Sequence, residues 1–435
     1  MKKLAINGGG KIRKTFFPAY KTIGNEEIES VKKVLETGVL SRFLGCWEDD
    51  FFGGPQVKAL EEEWAAYFGV KHAIAVNSAT SGLYCAMGAT GVGPGDEVIV
   101  SPYTMTASAV SPLIYNAIPV FADIEEDYFC LSPESVENKI TEKTKAIIVV
   151  DIFGLPYEAE IINKIAKEKG ILVIEDVAQA PGAKYGERFA GTLGDIGVFS
   201  LNYHKHIHCG EGGIVVTDND GLADRVRLIR NHAEAVVEGM GFSSLVNMVG
   251  FNYRMTEIEA AITREQLKKL DHLVKERQNN VKYLNNRLNE IPCLQAPKTR
   301  NNCEHVYYVQ PIKYDMNQNE GIIRERFVEA VKAELMPTDL RETEGIGISG
   351  GYVRPLYLQP IFQKMEAYGD KGCPFTCAYY NKKIEYKKGI CPTCEELHFE
   401  KMIINDLIRP PMSKRDLDDV AEAFVKVWEN RKELL

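Results

Sequence analysis

The sequence lacks the features that mark several large classes of protein. It has no basic run longer than a few residues, and a formal net charge of -9 with a pI near 5.6 argues against a surface built for nucleic acid or anionic membrane. No apolar stretch approaches the length of a transmembrane helix. Near the start, only Leu4, Ala5 and Ile6 form an apolar run, which is too short for the core of a signal peptide.

The composition gives little sign of a disulfide framework or of disorder. Ten cysteines in 435 residues, without a secretion signal, fit reduced thiols in the cytoplasm. We find no internal repeat and no low-complexity tract. With 45% hydrophobic and 26% charged residues, the chain can form one large domain with a smaller appendage and an ample buried core.

Strand-like and helix-like segments alternate through the first half of the chain. The strand segments are nearly continuous apolar runs, and helices are predicted between them. This alternation predicts an α/β fold with a mostly parallel sheet, right-handed crossovers and helices on both faces. Ligands of such sheets bind at the carboxyl ends of the strands. The predicted strands are residues 73–76, 97–100, 119–121, 145–151, 172–175, 196–200 and 214–217.

Beyond these strands the sequence predicts a change of architecture. Apolar residues recur at helical spacing over residues 256–291, which predicts one long helix that joins two domains. Residues 306–312 alternate like a strand of the second domain. The predicted parts of the chain are an N-terminal arm at residues 1–52, a large domain at 53–291 and a smaller α+β domain at 292–435.

One polar stretch lies between two of the predicted strands, at residues 200–213, and reads SLNYHKHIHCGEGG. Lys205 stands near its centre, with no acidic residue within five positions on either side. An amine held among strands and away from carboxylates can lose its proton and act as a nucleophile. On this stretch alone a solvated loop lysine is the preferred explanation, so other parts of the chain must decide between the two.

Two further polar clusters follow predicted strands. Residues 77–82 (NSATSG) place small residues between a strand and a helix, where free backbone N–H groups can hold a phosphate. Asp176 ends another apolar strand, and a buried carboxylate there needs a partner because an unpaired charge is costly. A tight connection explains the first cluster equally well, and a helix cap or structural salt bridge explains Asp176. The functional interpretation of Asp176 is a partner for a heterocyclic N–H group.

Together, the three clusters match the needs of one kind of cofactor. A pyridine that carries an aldehyde and a phosphate needs N–H donors for the phosphate, a carboxylate for the ring nitrogen and an amine for the aldehyde. The sequence offers these groups at residues 78–80, Asp176 and Lys205. Their joint occurrence predicts pyridoxal 5'-phosphate (PLP) far more specifically than any one of them.

Five phrases of the sequence match one known family. They are GVGPGDEVI (residues 91–99), IPVFAD (118–123), IEDVAQA (174–180), the stretch at 200–213, and GFNYRM (250–255). Together they resemble the DegT-type sugar nucleotide aminotransferases, a PLP-dependent family of fold type I. The resemblance runs from about residue 20 to the end. It implies a large domain with a mostly parallel sheet, a smaller α+β C-terminal domain and PLP as cofactor.

The resemblance implies roles for the candidate residues. Lys205 would be the lysine that forms a Schiff base with PLP, and Asp176 would be the partner of the pyridine nitrogen. Gln179 is implied to contact the phenolic oxygen of the ring. Lys205 would also be the base that moves a proton between the amino donor and the cofactor. The implied phosphate ligands are Ser200 and the backbone of Ala79 and Thr80.

Two positions bear on the partner subunit and on stacking. Asn252 matches a family residue that reaches the phosphate from the other subunit, which implies an obligate homodimer with shared active sites. The family usually stacks an aromatic ring on the cofactor where this chain has Met105. A methionine can pack against a ring face, so Met105 is predicted to contact the cofactor. Tyr103 is not expected to take over the stacking.

Further side chains are candidate substrate contacts. By family position, His305 and Tyr307 are candidate substrate contacts, with core packing as the preferred alternative. Tyr352, Arg354 and Tyr357 offer a cationic and aromatic surface that suits a nucleotide phosphate or base. Packing within the small domain is the alternative for these three residues.

Two groups of residues raise the question of a metal. His204, His206 and His208 share a face only if their segment is extended, so loop packing or a contact to substrate phosphate is preferred to metal binding. Four cysteines resemble a zinc ribbon in spacing, although the second pair also resembles a family phrase that does not usually bind metal. We therefore expect no metal, and prefer an incidental reduced cluster to structural zinc or to a disulfide. The four are Cys373, Cys377, Cys391 and Cys394.

The sequence thus predicts a PLP-dependent transamination. An amino acid, glutamate by family analogy, would give its nitrogen to the keto group of a nucleotide-activated sugar or a related polyol ketone. One alternative is a PLP-dependent sugar dehydratase of the same family, in which a histidine replaces the lysine, and Lys205 argues against it. The other is a PLP-binding regulatory protein without turnover. The sequence does not indicate which sugar or which of its carbons is aminated.

Overall fold

The computed structural model describes residues 3–242 and 244–435. Its strands form three sheets, with seven, four and three strands. In chain order the strands are β1 (His72–Val76), β2 (Glu97–Val100), β3 (Ile118–Phe121), β4 (Thr144–Val150), β5 (Leu172–Asp176), β6 (Lys184–Tyr185), β7 (Arg188–Phe189), β8 (Ile196–Ser200), β9 (Gly213–Thr217), β10 (Leu294–Gln295), β11 (Cys303–Glu304), β12 (Gln310–Tyr314), β13 (Ile348–Gly350) and β14 (Met402–Asn405).

Helices separate most of the strands along the chain. Within residues 3–242 and 244–435, no helix is both long and apolar enough to cross a membrane. In chain order the helices are α1 (Asn25–Thr37), α2 (Pro55–Phe68), α3 (Ala79–Ala89), α4 (Thr106–Ile114), α5 (Pro133–Lys139), α6 (Ala159–Lys169), α7 (Asp220–Arg230), α8 (Ala233–Val236), α9 (Glu257–Leu267), α10 (Leu270–Leu288), α11 (Arg324–Ala333), α12 (Pro360–Lys364), α13 (Pro392–Glu396) and α14 (Lys414–Glu429).

The seven-stranded sheet has the order β1-β9-β8-β5-β4-β2-β3. The pairs β5–β8, β4–β5, β2–β4 and β2–β3 are parallel, and β9 is antiparallel to both of its neighbours. Strands β8 and β9 are buried along their whole length, which requires cover on both faces of the sheet. The predicted α/β fold with a mostly parallel sheet is confirmed. The carboxyl ends of six strands therefore meet at one edge.

The four-stranded sheet is antiparallel and has the order β10-β12-β14-β13. Helices α10, α11 and α14 contribute to a hydrophobic core beside it, in which Phe327 and Phe424 are fully buried. Leu4 and Phe17 of the N-terminal segment belong to the same core. This part of the chain has the predicted α+β character, while the predicted domain boundaries stay a prediction.

The prediction of one continuous helix over residues 256–291 is wrong, since two helices, α9 and α10, occupy this segment. Thr256 does begin the first of them, because its hydroxyl accepts a hydrogen bond from the Glu259 N–H at 3.4 Å. The break falls at Lys269, whose Nζ bonds the Thr22 carbonyl at 3.1 Å and Glu27 at 2.7 Å. These tertiary contacts hold the chain in a turn that local spacing does not reveal.

The prediction of a strand over residues 306–312 is wrong for its first half, since β12 begins only at Gln310. Tyr307 has a φ of 50°, a left-handed conformation that interrupts any strand. The Arg277 guanidinium donates from Nη1 to the carbonyls of Tyr307 and Tyr308, at 3.3 and 3.1 Å. The turn thus supplies carbonyl acceptors to the buried Arg277 guanidinium. The alternating strand pattern that the sequence predicted is lost at these residues.

A late segment of the chain covers the open edge of the main sheet at β3. The Tyr386 hydroxyl donates to the Pro119 carbonyl at 2.8 Å, and the Tyr380 hydroxyl donates to Glu97 at 2.9 Å. The Phe362 ring packs on Phe121 with their centroids 5.2 Å apart. Residues 356–391, which follow the predicted large domain in sequence, therefore contribute to the core of the main sheet.

Candidate active site

The turn that carries Lys205 joins β8 to β9 at the carboxyl edge of the main sheet. The Lys205 N–H donates to the Asn202 carbonyl at 2.9 Å, which closes the turn. The lysine side chain is half-buried, and Nζ lies 4.4 Å from the centroid of the Tyr308 ring. An ammonium over an aromatic face is attracted to it. The turn thus holds the amine against an aromatic wall that the sequence did not predict.

Asp176 ends β5 and lies beside β8, where it pairs with Val198. Its Oδ2 accepts from the Ser108 hydroxyl at 2.6 Å, and its Oδ1 accepts from the Ala178 N–H at 3.1 Å. Burial raises the pKa of Asp176, while these two hydrogen bonds and the charge of Lys205 act to lower it. The positive charge of Lys205 thus favours the ionised form of Asp176, and the roles of both residues stay predictions.

Ser108, in the first turn of α4, was missed by the sequence analysis. Replacing Ser108 with alanine is expected to raise the pKa of Asp176 further, because the ionised carboxylate loses a donor. If ionised Asp176 is the active form, the acidic limb of the pH–rate profile should move to higher pH and kcat/KM at neutral pH should fall about tenfold. Steady-state kinetics as a function of pH measure both effects.

Ser111 offers a matched control for this prediction. Its hydroxyl is buried in the same helix and donates to the Ser108 carbonyl at 3.1 Å, with no bond to Asp176. The Ser111→Ala variant is expected to keep the wild-type pH profile. An identical shift in both variants would mean that helix α4, and not the bond to the carboxylate, sets the profile.

Helix α3 begins directly after β1 and presents its N-terminus at the same edge. Ala79 and Thr80 are its first two residues, so neither N–H has an acceptor within the helix. The Ser78 hydroxyl caps the next N–H, that of Ser81, at 3.0 Å. Two N–H groups at the positive end of a helix suit a phosphate.

Ser200 is the last residue of β8 and lies opposite Gly213, the first residue of β9. This pairing places Ser200 at the N-terminal end of α3. A Cβ on Gly213 would lie 2.7 Å from the Ala79 nitrogen, so only glycine allows the strand to start against α3. The Ser200 hydroxyl accepts from the Asn202 N–H at 3.3 Å, which leaves its hydrogen able to donate. The structure therefore brings Ser200 and the Ala79 backbone to the same end of α3, and their role as phosphate ligands stays a prediction.

Gln179 is buried at the same edge and bonded at both ends of its amide. Its Oε1 accepts from the Phe153 N–H at 2.8 Å, and its Nε2 donates to the Tyr352 hydroxyl at 3.1 Å. The second Nε2 hydrogen stays available for a ligand. Tyr103 is fully buried, and its hydroxyl accepts from the Tyr352 N–H at 2.9 Å. Tyr103 is thus held in the protein core.

The sequence predicted one aromatic and cationic surface at residues 352–357, but the structure places its three residues in different surroundings. Tyr352 lies at the site through its bond to Gln179. Arg354 is exposed. Tyr357 is fully buried, and its hydroxyl donates to Glu395. The packing alternative therefore describes Tyr357, and the role of the other two in binding a nucleotide stays a prediction.

Met105 and Asn252 lie at the surface of the single chain. Met105 is 57% exposed, and its sulfur accepts from the Ala107 N–H at 3.4 Å at the start of α4. Asn252 is exposed, and its carbonyl lies 3.5 Å from the side-chain nitrogen of Asn77, just before the phosphate-type turn. Both stay predicted cofactor contacts.

His305 and Tyr307 are engaged with one another. Their rings stack with centroids 3.8 Å apart, and His305 Nδ1 accepts from the Tyr307 N–H at 3.0 Å. Burial lowers the pKa of His305 to about 3, so it is neutral at physiological pH. Tyr308, the neighbour of this pair, faces Lys205 instead. The contact of His305 and Tyr307 with substrate stays a prediction.

The histidines around Lys205 point to different partners. His206 is buried, with Nε2 bonded to the Val306 carbonyl at 3.0 Å, and the His204 ring contacts Arg341. Within residues 3–242 and 244–435, no group of three or more His, Cys, Asp or Glu side chains is arranged to hold a metal ion. Each of the ten cysteines is a free thiol. Among them Cys391 and Cys394 are buried, and Cys373 and Cys377 are half-buried.

The residues at this edge fit a pyridine cofactor that carries an aldehyde and a phosphate. Lys205 offers an amine, and the start of α3 offers free N–H groups beside Ser200. Asp176 is a buried carboxylate whose hydrogen bonds come only from neutral donors in the described part of the chain, so a cationic ring N–H would offset the cost of its burial. These residues could therefore hold PLP.

The chain is similar to known proteins over most of its length. The sequence profile of the DegT/DnrJ/EryC1/StrS aminotransferase family matches residues 21–389. The spore coat polysaccharide biosynthesis protein SpsC of Bacillus subtilis (strain 168) is 32% identical over 418 residues, which cover 94% of this chain and 97% of SpsC. Both matches extend over the main sheet and nearly all of the late segment that covers its edge.

Solved structures share this architecture. DesI, determined in the presence of its TDP-sugar product, is 25% identical with a TM-score of 0.79, covering 99% of this chain and 97% of DesI. GDP-4-keto-6-deoxymannose-3-dehydratase (ColD) is 22% identical with a TM-score of 0.75, covering 94% of this chain and 100% of ColD, and at that identity the likeness shows the fold alone. Because the family profile spans most of its length, this chain belongs to the DegT/DnrJ/EryC1/StrS aminotransferase family.

Proposed function

We propose that this protein is a PLP-dependent aminotransferase that moves nitrogen from glutamate to the keto group of a nucleotide-activated sugar. The observation that carries the proposal is the convergence of Lys205, Asp176 and the start of α3 at one edge of the sheet. Membership of the family supports transamination. The likeness to DesI, solved with a TDP-sugar product, supports a nucleotide-activated sugar.

The chain's own residues account for each requirement of the reaction. When bound, PLP supplies an electron sink that makes the α-hydrogen of an amino acid acidic. Lys205 would bind the aldehyde carbon through Nζ and, once displaced by the donor amine, would accept and return the migrating proton. Asp176 would hold a proton on the ring nitrogen. The phosphate would be bound by the backbone N–H groups of Ala79 and Thr80 and by the Ser200 hydroxyl.

A spectral and product assay tests the proposal. Adding L-glutamate to the purified holoprotein is expected to move the absorption band from roughly 410 nm to roughly 330 nm, as PLP enzymes do when the cofactor accepts an amino group. Incubation of the protein with ¹⁵N-glutamate and a panel of nucleotide ketosugars is expected to give one labelled amino sugar, detected by mass spectrometry. A bound cofactor that no amino acid converts would favour a regulatory protein. Release of a deoxygenated sugar would favour a dehydratase.

The assembly is proposed to be a homodimer with shared active sites in the cytoplasm. Three apolar side chains shortly before Asn252 support a contact surface there: Leu245 is 64% exposed, Val246 53% and Val249 70%. The exposed Asn252 is the residue that the family resemblance assigns to the partner's phosphate site. The cytoplasmic location is supported by the ten free thiols.

Replacing Val249 with aspartate is expected to convert the dimer to monomers at micromolar concentration, because the variant would bury an unpaired charge in the interface. Activity should fall as the dimer dissociates, since Asn252 would no longer reach the partner's site. Sedimentation velocity and turnover, measured on the same samples, check the prediction. A fully dimeric variant would place the interface elsewhere on the chain.

A further inference from the structure

The aromatic ring of Tyr308 contacts the reactive amine, and no step of the proposed reaction uses this contact. Nζ of Lys205 lies 4.4 Å from the centroid of the ring, well inside the roughly 6 Å over which a ring face attracts a cation. Both side chains are half-buried, so water screens the attraction only in part. The ring therefore favours the charged form of the amine over the neutral form.

Backbone hydrogen bonds hold Tyr308 in this position. Its N–H donates to the Phe153 carbonyl at 2.8 Å, and its carbonyl accepts from Nη1 of the fully buried Arg277 at 3.1 Å. The Phe153 N–H donates in turn to Gln179 Oε1 at 2.8 Å. Both the N–H and the carbonyl of Tyr308 are therefore bonded to the surrounding structure, and this fixes the point from which the ring reaches the lysine.

Three titratable groups interact with the charge of Lys205. Asp176 attracts it, but each carboxylate oxygen already accepts a hydrogen bond from another donor, and the carboxylate is proposed to hold a proton on the cofactor's ring nitrogen. His204 and His206 lie on either side of the lysine, and burial lowers the pKa of both, so they are uncharged at neutral pH. Neither histidine can balance an ammonium ion. The Tyr308 ring face is a further source of stabilisation for that ion.

We propose that Tyr308 is a further catalytic residue, which stabilises the positive charge that Lys205 acquires as it accepts the migrating proton, an inference that rests on the proposed aminotransferase function. In that step the α-C–H bond of the amino donor breaks, its electron pair stays with the bound donor and cofactor, and a new N–H bond turns the neutral amine into an ammonium ion. Lys205 then returns the proton to the cofactor and is neutral again. The ring face thus lowers the free energy of the charged state through which both transfers pass.

Two substitutions of Tyr308 separate the ring face from a merely apolar contact. Tyr308→Leu keeps an apolar side chain and removes the π system, whereas Tyr308→Phe keeps the ring and removes the hydroxyl group. Tyr308→Leu is expected to slow the conversion of the holoprotein by L-glutamate about 5- to 30-fold, the size of a partly desolvated cation–π contact. Tyr308→Phe is expected to stay within about threefold of the wild type, because the ring face remains. Stopped-flow absorbance measures the single-turnover rates.

A kinetic isotope effect shows whether the loss lies in proton transfer. With α-deuterated L-glutamate, Tyr308→Leu is expected to show an isotope effect at least as large as that of the wild type, because proton transfer limits its rate more strongly. A slower variant with a smaller isotope effect would overturn the assignment, and so would equal losses in the leucine and phenylalanine variants. As a control, Phe189→Leu removes a ring from a lysine that the proposed reaction does not use, Lys184, and is expected to keep the wild-type rate.

A double-mutant cycle tests the contact without turnover. In the cofactor-free protein, Tyr308→Leu is expected to lower the urea midpoint of unfolding more when Lys205 is present than in the Lys205→Gln background, because the glutamine variant has no charge for the ring to stabilise. Equal shifts in the two backgrounds would overturn the proposal. If the wild type accepts nitrogen from no amino acid, the proposed function fails, and the assignment of Tyr308 fails with it. An active wild type beside an unimpaired Tyr308→Leu variant would refute the assignment of Tyr308 alone.

Discussion

Replacing Lys205 with alanine is expected to lower the turnover number at least about a thousandfold. The variant loses both the amine that would bind the cofactor's aldehyde and the base that would move the proton, and general base catalysis alone contributes about 10²–10⁴-fold. Purified variant and wild type should be compared with the amino donor and nucleotide ketosugar identified by the panel. The residual rate of the variant should approach that of free cofactor in solution.

Chemical mapping ties this loss to the proposed role. Borohydride reduction of the wild-type holoprotein is expected to add the mass of the reduced cofactor to the peptide that contains Lys205. Lys184 provides a matched control, because it is a half-buried lysine in β6 whose Nζ also lies over an aromatic ring, 5.0 Å from the centroid of Phe189. Lys184→Ala is expected to keep full turnover. A mass gain on any peptide without Lys205 would refute the assignment.

Replacing Asp176 with asparagine is expected to lower turnover at least about a hundredfold. The neutral amide cannot hold a proton on a pyridine nitrogen, and a charge pair at contact distance in such a site is worth about 4 kcal/mol. The Asp176→Glu variant keeps the charge and displaces it by one methylene, so its activity should lie between those of the wild type and the amide. Equal turnover in all three proteins would exclude a role for the carboxylate in the chemistry.

The same substitution is expected to stabilise the cofactor-free protein. Since burial raises the folded-state pKa of Asp176 above that of a free carboxyl group, the wild type loses stability as the pH rises from the free value towards the folded-state value, whereas the amide does not titrate. The melting temperature of Asp176→Asn should therefore exceed that of the wild type at neutral pH, and the difference should shrink as the pH falls towards the range where a free carboxyl group titrates and level off below it. Calorimetry of both cofactor-free proteins from acid to neutral pH checks the sign. A less stable variant would mean that the charge is already balanced without a ligand.

Local patterns were sufficient to predict the framework of the site. Strands such as β5 and β8 are short runs of buried apolar residues, so their ends could be read within a residue or two. Asp176 and Lys205 stand at or just beyond such ends. Parallel strands share one carboxyl edge, so residues at the ends of different strands lie near one another. The sequence positions of Asp176 and Lys205 therefore implied that the two residues are close in space.

Contacts between distant segments could not be predicted in the same way. Ser108 bonds Asp176 across 68 positions of sequence, and nothing in its own helix distinguishes it from Ser111. Tyr308 faces Lys205, and its neighbour Tyr307 adopts a left-handed conformation, which alternation along the chain does not indicate.

The covering of β3 by residues 356–391 has a consequence for biosynthesis. More than 200 residues of sequence separate Phe121, the last residue of β3, from this segment. At about 5–20 residues per second, a ribosome would expose the uncovered strand for roughly 10–50 s before its partner emerges. A strand with one unpaired edge invites association with other nascent chains, so this interval is when a chaperone would most benefit the protein.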